Sequence, residues 1–273
     1  MLLERIERVR QRIACSCARR SREPSSVTLV AVTKGVPIER VRDAAALGLT
    51  DFGENRVQEA REKQRVLGSR FKVQGGVTDG PPLEPLTSNL APIRWHLVGH
   101  LQRNKARPAV QCFDAIHSVD SIELVNELER QADRVVQGSR VKVQGGCFEP
   151  IRMFVQVNVS GEPTKFGCRP HETATIARVI NVCRYLRLSG LMTIAPFSSE
   201  PERSRPYFRT LRQLREDLAP ALNLQPSTLN LSMGMSQDFE VAIEEGADIV
   251  RIGTAIFGAR EPGHSEWGMR SAE

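Results

Sequence analysis

The feature that most constrains the fold is a repeated alternation of short apolar, strand-like segments with amphipathic, helix-like segments. Eight strand candidates occur, and each from the second onward is preceded by a helical segment. They lie at residues 26–35, 50–55, 94–100, 115–120, 152–160, 188–196, 227–236 and 248–258. Strands separated by helices form parallel βαβ units. Eight consecutive units predict an α/β protein with a single (β/α)8 barrel of the TIM type.

An extra helix is predicted before the first strand, because Leu2, Ile6, Val9 and Ile13 recur at helical spacing. An open, doubly wound sheet is the alternative to the barrel. Such a sheet normally carries a Gly-rich fingerprint after its first strand, where this chain has TKGVP. We therefore expect one barrel domain over residues 1–273.

Two segments interrupt the alternation, at residues 69–92 and 137–150, and both are rich in Pro and Gly. They contain a near-repeat, GSRFKVQGG at 68–76 and GSRVKVQGG at 138–146. Both lie between a helix and the following strand, on the face opposite the active site in this architecture. The pattern predicts two surface insertions in loops.

Composition argues against several classes of protein. The net charge is +6, but the arginines are spread along helical segments, which favours solvated helix faces over a nucleic-acid surface. No apolar run of about 18 residues occurs, so no membrane span is expected. The six cysteines form no C-x-x-C pair, which predicts no metal site and a reduced, cytoplasmic protein.

Lys34 is the first candidate for chemistry, because it directly follows the apolar run VAVT. The carboxyl ends of barrel strands gather the reactive groups. A lysine at a buried strand end loses hydration, which lowers its pKa and gives access to the nucleophilic amine that an aldehyde requires. A lysine that simply extends its amine into solvent is the alternative from this residue alone.

The last two strand candidates end in small and hydroxyl residues, SMGMS at 232–236 and RIGT at 251–254. Ser232, Gly253 and Thr254 could form a phosphate cradle, since such sites often follow strands seven and eight of a barrel. The alternative is a Ser-capped helix beside an ordinary Gly turn.

Other polar residues at predicted strand ends have less defined roles. Arg251 lies in the apolar strand DIVRIG and needs either a partner in a salt bridge or a wet barrel mouth. Glu54, Asn55, His96 and His100 are candidate acid–base or orienting groups. We assign none of them as catalytic.

Eight motifs together resemble the pyridoxal phosphate homeostasis protein family, in order along residues 26–258. They are AVTKG (31–35), DFGENRVQEA (51–60), RWHLVGHLQRNKA (94–106), IHSVDS (116–121), VQVNVSGEPTKFG (155–167), GLMTIAP (190–196), LSMGMSQDFEVAI (231–243) and VRIGTAIFG (250–258).

The resemblance implies a barrel of the alanine racemase N-terminal type, which is fold type III among proteins that bind pyridoxal 5′-phosphate (PLP). It implies that Lys34 carries PLP as a Schiff base and that Arg251 faces the pyridine nitrogen. By the same resemblance, the phosphate contacts are Ser232, Gly253 and Thr254, and the pocket lining is Asn55, His96 and Met192.

The function implied is intracellular PLP homeostasis, in which the protein buffers the cofactor or supplies it to PLP-requiring apo-enzymes without being an enzyme itself. A monomer in the cytoplasm, with no nucleic acid or membrane as partner, is expected. The alternative is a PLP-dependent amino-acid racemase or related enzyme. A nucleic-acid-associated protein is a third hypothesis, suggested only by the basic charge.

Overall fold

The computed structural model describes residues 1–67, 92–138 and 149–259. Most of each predicted insertion, at 69–92 and 137–150, lies outside the described residues.

Eight parallel strands close into a barrel in which the spatial order follows the chain order, as the alternation predicts. Closure is made by the first and last strands, whose paired residues run from Thr28 with Ile249 to Ala31 with Ile252. The strands are β1 (Thr28–Val32), β2 (Asp51–Glu54), β3 (Arg94–Leu97), β4 (Ala115–Val119), β5 (Ile151–Gln156), β6 (Leu186–Met192), β7 (Asn230–Ser232) and β8 (Ile249–Ile252).

Helices connect the strands and surround the barrel, and the predicted additional helix precedes β1. This first helix packs against the last two described helices, beside the barrel seam. The helices are α1 (Leu2–Ala18), α2 (Ile38–Ala46), α3 (Val57–Leu67), α4 (Ala106–Cys112), α5 (Ile122–Gly138), α6 (Thr173–Asn181), α7 (Arg205–Ala221), α8 (Phe239–Glu244) and α9 (Thr254–Phe257). Among the described residues, no helix is long and apolar enough to cross a bilayer.

In the part of the chain that the structure describes, the buried apolar side chains form two separate groups. The large group fills the space between strands and helices, because alternate strand residues point outward. The small group lies inside the barrel and consists of Val30, Ala115, Phe154, Met192 and Ile249. Buried polar side chains lie beside this group, and His117 stacks on Phe154.

The end of β8 differs from the sequence prediction, which extended that strand to residue 258. Its partner β1 ends at Val32, so the chain has no strand to pair with beyond Ile252. The backbone N–H groups of Ile256 and Phe257 instead donate to the Gly253 carbonyl and begin the short helix α9.

The segment after β7 also differs from its prediction. The sequence suggested a strand over 227–236 with a helix starting directly behind it, whereas β7 ends at Ser232 and α8 starts at Phe239. The turn between them is closed by the Asp238 carboxylate, which accepts a hydrogen bond of 2.7 Å from the Met235 backbone N–H.

Candidate cofactor site at the carboxyl ends of the strands

Lys34 lies in the turn that follows β1, as predicted, and its side chain is half-buried. The turn is fixed to its neighbours on both sides of the lysine. The Thr33 backbone N–H donates to the Gly53 carbonyl at 2.9 Å, and the Gly35 N–H donates to Glu59 Oε1 at 2.6 Å. The backbone at Lys34 is therefore held by β2 and α3.

A second lysine supports this turn from the helix side. Lys63 Nζ donates to the Thr33 carbonyl at 2.6 Å, to Glu54 Oε1 at 2.6 Å and to Glu59 Oε1 at 2.9 Å. We call Thr33, Glu54, Glu59 and Lys63 the Lys63 cluster. All three N–H donors of the Lys63 ammonium form hydrogen bonds within the protein. Lys63 is therefore a structural cation beside the Lys34 turn.

Glu54 is a fully buried carboxyl in this cluster. Burial raises its pKa to about 7, although Lys63 opposes the shift. Its second oxygen has no hydrogen-bond partner among the described residues. The cluster thus contains a carboxyl whose pKa is shifted by burial toward neutral pH.

The Gly253–Thr254 part of the predicted phosphate cradle lies next to the Lys34 turn, because β8 pairs with β1. A Cβ built on Gly253 would lie 3.2 Å from the Val32 carbonyl oxygen, so a larger residue would crowd the end of β1. Across the same turn, the Ala255 backbone N–H donates to Ser236 Oγ at 3.2 Å. The ends of β1, β7 and β8 therefore bring Lys34, Ser236 and the Gly253–Thr254 turn to one side of the barrel mouth.

Ser232 and Arg251 lie deeper, inside the barrel. Arg251 is 4% exposed, and its Nη1 donates to Ser232 Oγ at 2.7 Å while Nη2 donates to the Thr193 carbonyl at 2.8 Å. Burial lowers the pKa of Arg251 to about 10, which still leaves it a cation at neutral pH. Within the described ranges, no carboxylate forms an ion pair with this guanidinium.

His96 and Met192 are both fully buried beneath the mouth. The two His96 nitrogens contact His117 Nε2 at 2.9 Å and Asp51 Oδ1 at 3.0 Å. Met192 belongs to the small apolar group inside the barrel and ends β6, directly before the carbonyl that Arg251 binds.

Asn55 follows β2 and is half-buried at the mouth. A Cβ on Gly99 would lie 2.5 Å from the Asn55 carbonyl oxygen, so the turns after β2 and β3 are in close contact there. His100 lies on the outer part of the mouth. It approaches Asp120 at 3.6 Å and stacks on Phe166 with ring centroids 4.0 Å apart.

The opposite end of the barrel has a separate cleft of about 580 Å³. It is lined by Arg152, Arg184 and Arg187 at the start of β5 and β6, away from Lys34. No group of three or more His, Cys, Asp or Glu side chains in the described part of the chain could hold a metal ion.

Comparisons with known proteins show which family this chain resembles. The family model described as alanine racemase, N-terminal domain, matches residues 9–261. A pyridoxal phosphate homeostasis protein of Pseudomonas aeruginosa is 37% identical over 262 residues, covering 96% of this chain and 97% of the relative. The Homo sapiens protein of the same name is 36% identical over 260 residues, covering 93% of this chain and 84% of the relative.

This chain belongs to the pyridoxal phosphate homeostasis protein family. The family prediction made from the eight motifs is therefore confirmed.

Two solved structures of other proteins contain the same type of barrel as this chain. PipY of Synechococcus elongatus, solved with PLP bound, superposes with a TM-score of 0.68 at 33% identity, covering 94% of this chain and all of that chain. An alanine racemase from Clostridium difficile gives a TM-score of 0.60 at 14% identity, covering 94% of this chain and 57% of that chain. The predicted fold, fold type III, is confirmed.

Sequence reasoning missed several residues around the site, among them Lys63, His117 and Ser236. Lys63 could have been found as the partner of Glu59, four residues earlier on a helix. His117 carried a signal too, because it is a polar residue inside the apolar strand segment AIHSV. Ser236 lay within the motif considered for phosphate, but nothing local distinguished it from Ser232.

Proposed function

We propose that this protein binds PLP at the mouth of its barrel, with Lys34 as the Schiff-base lysine, and that it serves intracellular PLP homeostasis. One observation carries the proposal: the β1–β8 pairing sets the Lys34 turn beside the Gly253–Thr254 turn and Ser236. An amine and a set of hydroxyl and N–H donors at neighbouring strand ends match the two ends of a phosphorylated aldehyde. The PipY structure with PLP bound supports the same cofactor for this chain.

PLP supplies a reactive aldehyde on a pyridine ring with a phosphate arm. In our proposal the phosphate contacts are Ser236, Gly253 and Thr254, with Ser232 from the original prediction buried below them. With PLP bound, the cationic Arg251 would face the pyridine nitrogen and keep it unprotonated, which would limit the ring as an electron sink. Asn55, His96 and Met192 complete the surroundings of the ring.

We further propose that the protein carries PLP rather than turning over a substrate with it. The relatives are named as homeostasis proteins, which supports this role. Solvent-deuterium exchange at the α-carbon of amino acids tests it. No exchange above the level of free PLP is expected. Rapid exchange with any amino acid would favour the racemase alternative instead.

As a carrier, the protein is proposed to be a monomer in the cytoplasm. It is also proposed to transfer its PLP directly to apo-enzymes. Mixing the loaded protein with a PLP-requiring apo-enzyme should restore that enzyme's activity faster than spontaneous release into a PLP trap allows. Equal rates of reactivation and release would contradict direct transfer.

Titration with PLP tests the binding site itself. Wild type should develop a protein-bound absorbance band, and Lys34→Ala should lose it. Lys165→Ala is a matched control, because Lys165 is also half-buried and its Nζ lies 3.4 Å from the Ala195 carbonyl, just beyond β6. A band that persists in Lys34→Ala, or that vanishes in Lys165→Ala, would overturn the assignment.

A further inference from the structure

Five side chains form a continuous hydrogen-bonded row through the barrel interior, which we call the buried polar chain. It runs from Asp51 through His96, His117 and Ser232 to Arg251. The successive contacts are 3.0, 2.9, 2.8 and 2.7 Å. None of the five residues is more than 4% exposed.

The two ends of the buried polar chain fix the direction of every hydrogen bond in it. Arg251 can only donate, so Ser232 Oγ accepts from it. The Ser232 hydroxyl hydrogen then needs an acceptor, and His117 Nδ1 at 2.8 Å is the one that the described residues provide. At the other end, the Asp51 carboxylate can only accept, so His96 donates to it from Nε2.

The hydrogen bond in the middle of the buried polar chain, between His117 and His96, is consistent with the directions set at both ends. A neutral His117 that accepts at Nδ1 carries its proton on Nε2 and donates it to His96 Nδ1. His96 then carries its own proton on Nε2, as Asp51 requires. Burial lowers the pKa of His117 well below its usual value, which agrees with a neutral ring.

Asp51 is itself fixed from the far side. Arg94 donates to its two oxygens at 2.7 and 2.6 Å, and Thr50 donates to Oδ2 at 2.8 Å. Burial acts to raise the Asp51 pKa, but the hydrogen bonds from His96 and Arg94 outweigh it and hold that pKa far below the ordinary range. Asp51, which is the acceptor at the end of the buried polar chain, thus keeps its negative charge.

We infer that Asp51, His96 and His117 are positioning residues for Arg251. They keep the Ser232 hydroxyl hydrogen bonded to His117. The Ser232 oxygen is then oriented to accept the hydrogen bond from Arg251. This inference rests on the proposed function only where Arg251 meets the cofactor. It assigns Ser232 to the support of Arg251, and it leaves the hydroxyl contacts of the phosphate to Ser236 and Thr254.

The protonation pattern can be measured without any cofactor. Nitrogen-15 NMR of histidine-labelled, PLP-free protein should show His96 and His117 both neutral with the proton on Nε2. His96→Gln and His117→Asn identify the two signals. A proton on Nδ1 of either ring, or on both nitrogens of His117, would overturn the inference whatever happens at Lys34.

Effects on bound PLP are tested by a set of variants. His117→Phe should move the pH profile of the PLP absorbance band, because Ser232 loses its acceptor and the guanidinium of Arg251 then depends on its bond to the Thr193 carbonyl. His117→Asn, whose amide oxygen can replace Nδ1 as acceptor, should restore the wild-type profile. His100→Phe is the matched control, because His100 is outside the buried polar chain. A profile unchanged in His117→Phe, or not restored by His117→Asn, would contradict the positioning role.

A double-mutant cycle separates the two serines. Ser232→Ala and His117→Phe should change the PLP profile non-additively, because both act on the same row of hydrogen bonds. Ser236→Ala should weaken the binding of pyridoxine 5′-phosphate, which lacks the aldehyde, by about tenfold, as expected for one lost hydrogen bond to a charged group. Ser232→Ala should leave that affinity within about twofold. The reverse ranking would make Ser232 the phosphate contact and refute the inference.

Discussion

At the scale of single residues, the Lys63 cluster determines how firmly the Lys34 turn is held. Lys63 and Glu54 have side chains that are 7% and 0% exposed, so their ion pair is almost without water. Removing one partner of such a pair leaves the other charge buried and uncompensated. The cluster therefore links the stability of the barrel to the geometry beside Lys34.

Lys63→Met should lower the free energy of unfolding by about 3 kcal/mol at pH 8, the scale for breaking a buried pair. It should also weaken PLP binding, because the Thr33 carbonyl loses its donor. Urea unfolding and PLP titration measure the two effects. The double variant Lys63→Met/Glu54→Gln should be more stable than Lys63→Met. A double variant that was less stable would disprove the buried-charge explanation.

Glu54 should give the barrel a stability that falls as pH rises. Its folded-state pKa of about 7 lies above the ordinary value of 4.5 for a glutamate, so the folded state binds more protons than the unfolded state between these values. The contribution is fully present below about pH 4.5 and is lost as pH passes about 7. Urea unfolding from pH 5 to 8 should show wild type losing stability relative to Glu54→Gln. A constant difference between the two proteins across this range would contradict the shift.

At the scale of elements, all eight strands could be predicted from the alternation of strand-like with helical segments, although β2, with the sequence DFGE, is not an apolar run. Their ends could not. The run RIGTAIF has the β-branched and aromatic residues of a strand, yet α9 starts at Thr254 because β1 offers no further partner. The end of a strand depends on its neighbour, which a local pattern does not contain.

Gly190 of β6 lies in close contact with the backbone of β7. It has φ of +153°, and an added Cβ would lie 1.8 Å from the Asn230 carbonyl oxygen, so alanine cannot fit unless β6 and β7 separate. Gly190→Ala should cost more than about 3 kcal/mol of unfolding free energy or prevent folding, a size that marks a specific structural conflict. Gly161→Ala is the matched control. Its φ is +71° but nothing lies within 4 Å, so backbone strain alone, about 1 kcal/mol, is expected. Similar losses in both variants, measured by urea unfolding, would show that close approach is not the cause.

At the scale of the whole molecule, the barrel is closed at the β1–β8 seam, and α1 covers the helices beside it. Arg12 of α1 pairs with Glu240 of α8 at 2.8 Å, while Ile6, Val9 and Ile13 are buried against the core. The sequence predicted this helix from spacing alone. It could not predict the buried polar chain, whose members come from five strands and meet only after closure.

The helix α1 should therefore be part of the cooperative fold. Ile6 is fully buried, and Ile6→Ala should lower the free energy of unfolding by about 2–4 kcal/mol, as for other large-to-small core substitutions. Leu3→Ala on the same helix is the control, because Leu3 is 46% exposed and should change stability by less than about 0.5 kcal/mol. Equal effects in urea unfolding would mean that α1 is not docked as described.

The proposed function requires that a phosphorylated aldehyde is held between Lys34 and the turns that follow β7 and β8. Its most direct test is to load the protein with PLP, reduce it with borohydride and locate the modified residue by peptide mass spectrometry. We expect one pyridoxyl group, on Lys34, with none on Lys63 or Lys165. Modification at either of those lysines in place of Lys34, or a protein left unmodified after saturation with PLP, would contradict the account.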